Sequence, residues 1–209
     1  MKAVWMARFF GAGLTVLALL GLAGCRTESE AVSTGPKLVS SEALRPSEDL
    51  PDGAVLKLAG MEIPVTLETE QDGIHQTIEL QSNGETIDHE RYIVSDESVK
   101  LLFAAGETFD PPLPLLIFPM TVGDSWKWKG TMIADEARSK AEAKIVSQVS
   151  KAELKGSTVP SVKVMVDLQL AENQQSKPVK RTLSFWVVEG KGVVRREFGE
   201  ESVREPQPK

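Results

Sequence analysis

The chain has 209 residues, 24 basic and 30 acidic side chains, a formal net charge of −6, and a single cysteine. The acidic balance, with no basic stripe in the sequence, argues against nucleic acid as a partner. One cysteine permits no intramolecular disulfide, so stability has to come from an ordinary core.

The first residues carry Lys2 and Arg8, a weakly positive start. Phe9 to Leu22 follows as an apolar run that includes Phe10, Leu14, Val16, Leu17, Leu19 and Leu20. As a helix this run rises only about 21 Å, too short for a hydrocarbon core of about 30 Å. It reads as a signal segment rather than a permanent span. Leu22-Ala23-Gly24-Cys25, at its end, places small residues just before the lone cysteine. These four residues resemble the lipobox of bacterial lipoproteins. An ordinary secretory signal with a chance cysteine, or a short membrane anchor, is the plainer alternative. The lipoprotein resemblance implies a signal peptide over 1–24, cut before Cys25, and a diacylglycerol on the Cys25 thiol. It also implies an acyl chain such as palmitate on the new amine. Two or three chains hold a protein to a bilayer durably, at about 0.8 kcal/mol per buried CH₂. The next residue is Arg26. By the same resemblance, the lack of Asp there favours the outer membrane if the host is diderm.

Residues 25–53 are rich in Ser, Thr, Glu and Pro, with scattered apolar residues, and read as a flexible tether. A coil of this length spans about 30 Å r.m.s.. Without Lys2 and Arg8 the mature chain has 22 basic against 30 acidic residues, a charge near −8. The remaining stretch, expected as a folded domain over 54–203 with a frayed tail at 204–209, is long enough to bury a sizeable core.

From Val55 onward the hydropathy has period 2. Ile63, Val65 and Leu67 alternate with polar residues, Asp72-Gly73 turns the chain, and Ile78 and Leu80 continue the pattern. Asn83-Gly84 is a strong hairpin signal because both residues of a type I′ turn need positive φ. Thr86–Val94 and Val99–Phe103 complete four antiparallel strands. Ala105–Val122 holds Pro111, Pro112, Pro114 and Pro119, which cannot donate to a central ladder, so a crossover is expected there. It is also apolar, with Leu113, Leu115, Leu116, Ile117, Phe118 and Met120. A crossover of this kind either plugs the open side of a sheet or stands over it as a lid. Trp126 and Trp128 share one strand face, and Lys127 and Lys129 take the other. Residues 134–145 fit a helix or a strand, and a long strand over Ser139–Lys151 is the better reading. Val164, Val166, Leu168 and Leu170 alternate with polar residues, as do Leu183, Phe185 and Val187 after the polar loop Glu172–Lys177. Gly190-Lys191-Gly192 makes the last hairpin, and Val193 and Val194 open the final strand.

The pattern predicts an all-β domain. About 8–9 antiparallel strands should form a meander sheet curved into a half-barrel or small sandwich. Phe118-Pro119 with Gly123 and Trp126, and Gly190-Lys191-Gly192-Val193-Val194, resemble a pattern in uncharacterised bacterial envelope lipoproteins. The resemblance covers about Asp88 to Arg196 and implies fold and compartment, with no activity attached. In outline the architecture also resembles the carriers that move lipoproteins across the periplasm.

No catalytic constellation is present: Gly-x-Ser-x-Gly, His-Glu-x-x-His and phosphate-loop motifs are all missing from the sequence. His75 should fall opposite Arg91 or Tyr92, away from His89, so no metal site is expected. In Asp88-His89-Glu90-Arg91, alternate residues face opposite ways, and cross-strand charge pairing accounts for them. The expected function is a non-catalytic, lipid-anchored envelope module with no cofactor. It would be held to the membrane through Cys25 and would bind an envelope protein or a lipid. The candidate binding residues are Leu113, Leu115, Leu116, Ile117, Phe118, Met120, Trp126 and Trp128. The alternative within that class is a carrier or acceptor of an acyl chain or lipoprotein in an apolar groove.

Overall fold

Five two-residue turns set the course of the described chain. Ala59-Gly60, Asn83-Gly84, Ala105-Gly106, Asp135-Glu136 and Lys155-Gly156 each hold both residues at positive φ. That twist matches the flanking strands of a tight hairpin. The structure, a computed structural model, describes residues 37–38, 54–171 and 179–201. The signal segment, nearly all of the tether, the loop Glu172–Lys177 and the tail lie outside these residues.

The strands in chain order are β1 (Lys37–Leu38), β2 (Ala54–Leu58), β3 (Met61–Asp72), β4 (His75–Ser82), β5 (Glu85–Val94), β6 (Ser98–Ala104) and β7 (Glu107–Ile117). They continue as β8 (Met120–Thr121), β9 (Ser125–Ala134), β10 (Ala137–Leu154), β11 (Ser157–Ala171), β12 (Val179–Val188) and β13 (Gly192–Glu201). The all-β expectation holds, and so does the strand reading of 139–151, which lies inside β10.

The sheet is a closed barrel of 11 strands, not an open half-barrel or sandwich of 8–9. The expected strands are present, and β2 and β7 are added to them. In an up-and-down meander an odd strand number sends the first and last strands the same way. The closing seam must then be parallel, as β13–β2 is, with Arg196 opposite Leu56 and Phe198 opposite Leu58. Closure leaves the barrel without edge strands.

Strand β7 overturns the expected crossover. Pro111 and Pro112 fit a barrel wall because they sit where both ladders are interrupted, and Pro114, opposite Lys100, sits beside a second register shift at Val99/Lys100. On one side the β6–β7 register shifts between Leu101 and Phe103, and on the other the β7–β9 pairing runs only from Thr108 to Asp110. Beyond it, indole N–H groups take over: Trp128 Nε1 donates to the Pro111 carbonyl at 2.9 Å and Trp126 Nε1 to the Pro114 carbonyl at 2.7 Å. Gly130 lets the two strands approach, since a Cβ there would lie 2.5 Å from the Asp110 carbonyl oxygen and 2.5 Å from the Trp128 ring.

Inward positions are apolar along nearly every strand: Leu56, Leu80, Leu101, Leu113, Ile145, Val164, Val166, Leu168 and Phe185 are all buried in one core. The outer face carries Glu62, Glu68, Glu79, Glu142, Lys144, Asp167 and Gln169, all exposed. A membrane-spanning barrel has the opposite arrangement, with an apolar band facing lipid. A second, smaller cluster of Ala152, Trp186, Val188 and Val194 lies outside the barrel. Trp186 is held there by a hydrogen bond to Ser150 Oγ and by Lys163 and Arg195 over its ring. A bulge at Trp186/Val187 turns Val194 outward to join it.

Candidate binding site at the barrel mouth

The two ends of the barrel differ. At the end where β2 begins, the segment after β7 folds inward. Phe118 and Met120 are buried in the main core, and β1 pairs with β8. Gly123 N and Ser147 Oγ, and Ser147 N and the Asp124 carbonyl, tie this segment to β10. Here the plug reading applies to Phe118–Met120, whereas Leu113, Leu115 and Leu116 are wall residues pointing into the core. Ile117 is 44% exposed.

The opposite end gathers the turns β2–β3, β4–β5, β6–β7 and β9–β10, and among the described residues it is open. Two cavities of about 490 Å³ and 520 Å³ lie there and share Leu58, Ala105 and Phe198 as walls, so they are two lobes of one mouth. Leu183 lines the first lobe, and Leu56, Ile63 and Ile87 line the second. Leu58, Met61 and Ile87 stand exposed at this end. Arg181 and Glu107 form an ion pair across the first lobe, both largely buried. Glu85 and Asp88 line the second lobe.

Below the mouth an ion pair crosses the barrel interior. Arg196 on β13 and Glu90 on β5, four places apart in the strand order, are both completely buried. Arg196 Nε donates to both Glu90 oxygens at 2.7 Å, the Tyr92 hydroxyl donates to Glu90 Oε2 at 2.6 Å, and Arg196 Nη1 donates to the Val193 carbonyl at 3.0 Å. Burial, and then the Glu90 charge, push the Tyr92 phenol well above its usual pKa. For Arg196, burial is the largest influence and works to lower the pKa, but Glu90 and Tyr92 together outweigh it and the net shift is upward.

Several sequence expectations meet the structure here. Trp128 is buried and Trp126 half-buried against the core, while Lys127 and Lys129 are exposed on the other face, as read. Lys129 does have an acid beside it, Glu142 at 2.6 Å. That pair lines a third cavity of about 710 Å³ at the β7–β9 seam, beside Asp110 and Lys140. Its lining charges suit it poorly to an apolar ligand. His75 faces Ile93 rather than Arg91 or Tyr92, because a bulge at Ile87 shifts the β4–β5 register. His89 stacks on Phe103 with Arg91 over the same ring. Among the described residues, no group of His, Cys, Asp and Glu is arranged to hold a metal ion. Cross-strand pairing does not describe Glu90, whose partner is across the lumen. None of the eight candidate binding residues lines the mouth. Of the residues that do, Leu58 and Glu107 flank Ala59-Gly60 and Ala105-Gly106, which are weaker turn signals in a sequence than Asn83-Gly84.

Compared with protein-family models, with curated proteins and with solved structures, the chain has no significant match to any.

Proposed function

We propose that the protein is a lipid-anchored bacterial envelope protein whose barrel is a non-catalytic binding module, taking an apolar chain at its mouth. The lipobox resemblance at Cys25 supports the anchor. The observation that carries the binding half is the two-lobed mouth, walled by Leu56, Leu58, Ile63, Leu183 and Phe198. Each lobe has the volume of a small-ligand site. The exposed apolar rim is surface that a ligand would cover.

A photoactivatable fatty-acyl probe, offered to the full chain in its membrane, tests this. Adducts mapped by mass spectrometry should concentrate on Leu58, Ile87 and Phe198. Leu58→Asp, at a rim position that is 42% exposed, should leave the fold intact and abolish most of the labelling. Adducts spread over the outer faces, or unchanged in the variant, would remove the mouth as the site and leave a protein-interaction scaffold as the better reading.

A further inference from the structure

We infer that the β9–β10 flank of the barrel rests on the anionic headgroups of the bilayer that holds the anchor. The contact relies on the Cys25 anchor of the proposed function, which keeps a bilayer within reach, and is independent of the mouth.

The two halves of the wall differ in charge. Residues 54–117, which build β2 to β7, hold three Lys and Arg against twelve Asp and Glu. Residues 118–201, which build β8 to β13, hold fourteen against eleven. Two hairpins concentrate the difference. The outward side chains of β9 and β10 include Lys127, Lys129, Arg138, Lys140 and Lys144, all exposed, and one carboxylate, Glu142. Lys127 stands directly opposite Lys144, and like charges so placed repel each other. The hydrogen bond and charge of Lys129, with a smaller pull from Lys127, hold the Glu142 carboxyl below its usual pKa. Asp110 on β7 and Asp167 on β11 border this flank, and Asp135 and Glu136 cap it at the mouth end. On β3 and β4 the outward carboxylates are Glu62, Glu68, Glu70, Asp72 and Glu79, all exposed, and neither strand has a Lys or Arg. Arg195 answers Glu62, but Glu68 stands directly opposite Glu79.

The strand order sets these two hairpins on opposite sides of the closed sheet. An anionic surface therefore attracts one flank and repels the other, and both forces turn the barrel the same way. Screening confines the attraction to side chains within about 8 Å of the surface at physiological salt. The anchor keeps headgroups beside every copy. A second copy, whose acidic flank also complements the basic one, has to be met by diffusion. With the β9–β10 flank down, the barrel axis runs along the bilayer and the mouth opens sideways at the membrane surface.

The full chain, extracted from bacterial membranes with its anchor, is added to preformed vesicles. These are of phosphatidylcholine alone, or of phosphatidylcholine and phosphatidylglycerol in equal parts. Lysine acetylation by a membrane-impermeant reagent, mapped by mass spectrometry, reports which side faces the lipid. Lys127, Lys129 and Lys144 should react ~5-fold or more slowly on the anionic vesicles, while Lys100, in the acidic half, keeps its rate. High salt should erase the difference. Lys127→Gln/Lys144→Gln, at two exposed positions, should restore the rate at Lys129. Equal rates at Lys129 on both vesicles, in a chain that floats with them, would overturn the flank contact alone. Slowing that is the same on both vesicles and grows with protein density would also overturn it, in favour of a second copy. A chain that does not float with the phosphatidylcholine vesicles lacks the anchor, and the contact falls with it.

Discussion

Glu90→Leu should lower the stability of the protein by about 3–5 kcal/mol, because it leaves the Arg196 guanidinium charged in the middle of an apolar barrel. Glu90 takes both contacts from Arg196 Nε and the Tyr92 hydroxyl bond, so one substitution strips three hydrogen bonds from a fully buried site. The pair also joins β5 to β13, the strand that closes the barrel against β2. Its removal should loosen the parallel seam as well as the core. Glu90→Leu combined with Arg196→Met should recover most of the loss, since well-packed apolar replacements of a buried pair are often neutral or better. Urea denaturation of the two variants checks this. A single variant within about 1 kcal/mol of the wild type would mean that the two charges do not meet inside the barrel.

Val166→Asp should cost several kcal/mol, from the burial lost and from an unpaired charge placed in the core. Val166 is fully buried, opposite Ile145 on β10 and Leu183 on β12, so its side chain is enclosed by inward-facing neighbours in the central layer. One residue along, Asp167 is exposed on the outer face between Lys144 and Thr182. Asp167→Ala should therefore change stability by no more than about 0.5 kcal/mol. Similar denaturation midpoints for the two variants would contradict the register of β11.

These two sites mark what the sequence allows to be read and what it does not. Val164, Val166 and Leu168 alternate with polar residues, and period 2 alone assigns their face. Glu90 and Arg196 break the same alternation with charges of opposite sign, each at an inward position. The breaks are visible in the sequence, but their meeting depends on how many strands lie between them, and the hydropathy pattern hides two strands of the barrel. Strand β2 has only five residues, and it merges with its successor in that pattern because Ala59-Gly60 is a less familiar turn than Asn83-Gly84. Strand β7 is masked by its prolines, which normally mark an edge. Their lost ladder bonds are offset by Trp126 and Trp128, twelve and seventeen residues away in sequence, and no local pattern reports such a partnership. The mouth is hidden for the same reason. Its apolar walls come from β2, β3, β12 and β13, and they form one surface only once the barrel has closed.

The anchor at Cys25 is the claim from which the envelope assignment follows, and intact-mass analysis of the mature protein extracted from bacterial membranes tests it most directly. The expected chain begins at Cys25 and carries the mass of a diacylglyceryl group, usually with one further acyl chain, and Cys25→Ser abolishes the modification. A chain that retains residues 1–24, or one that begins elsewhere with an unmodified Cys25, would contradict the account.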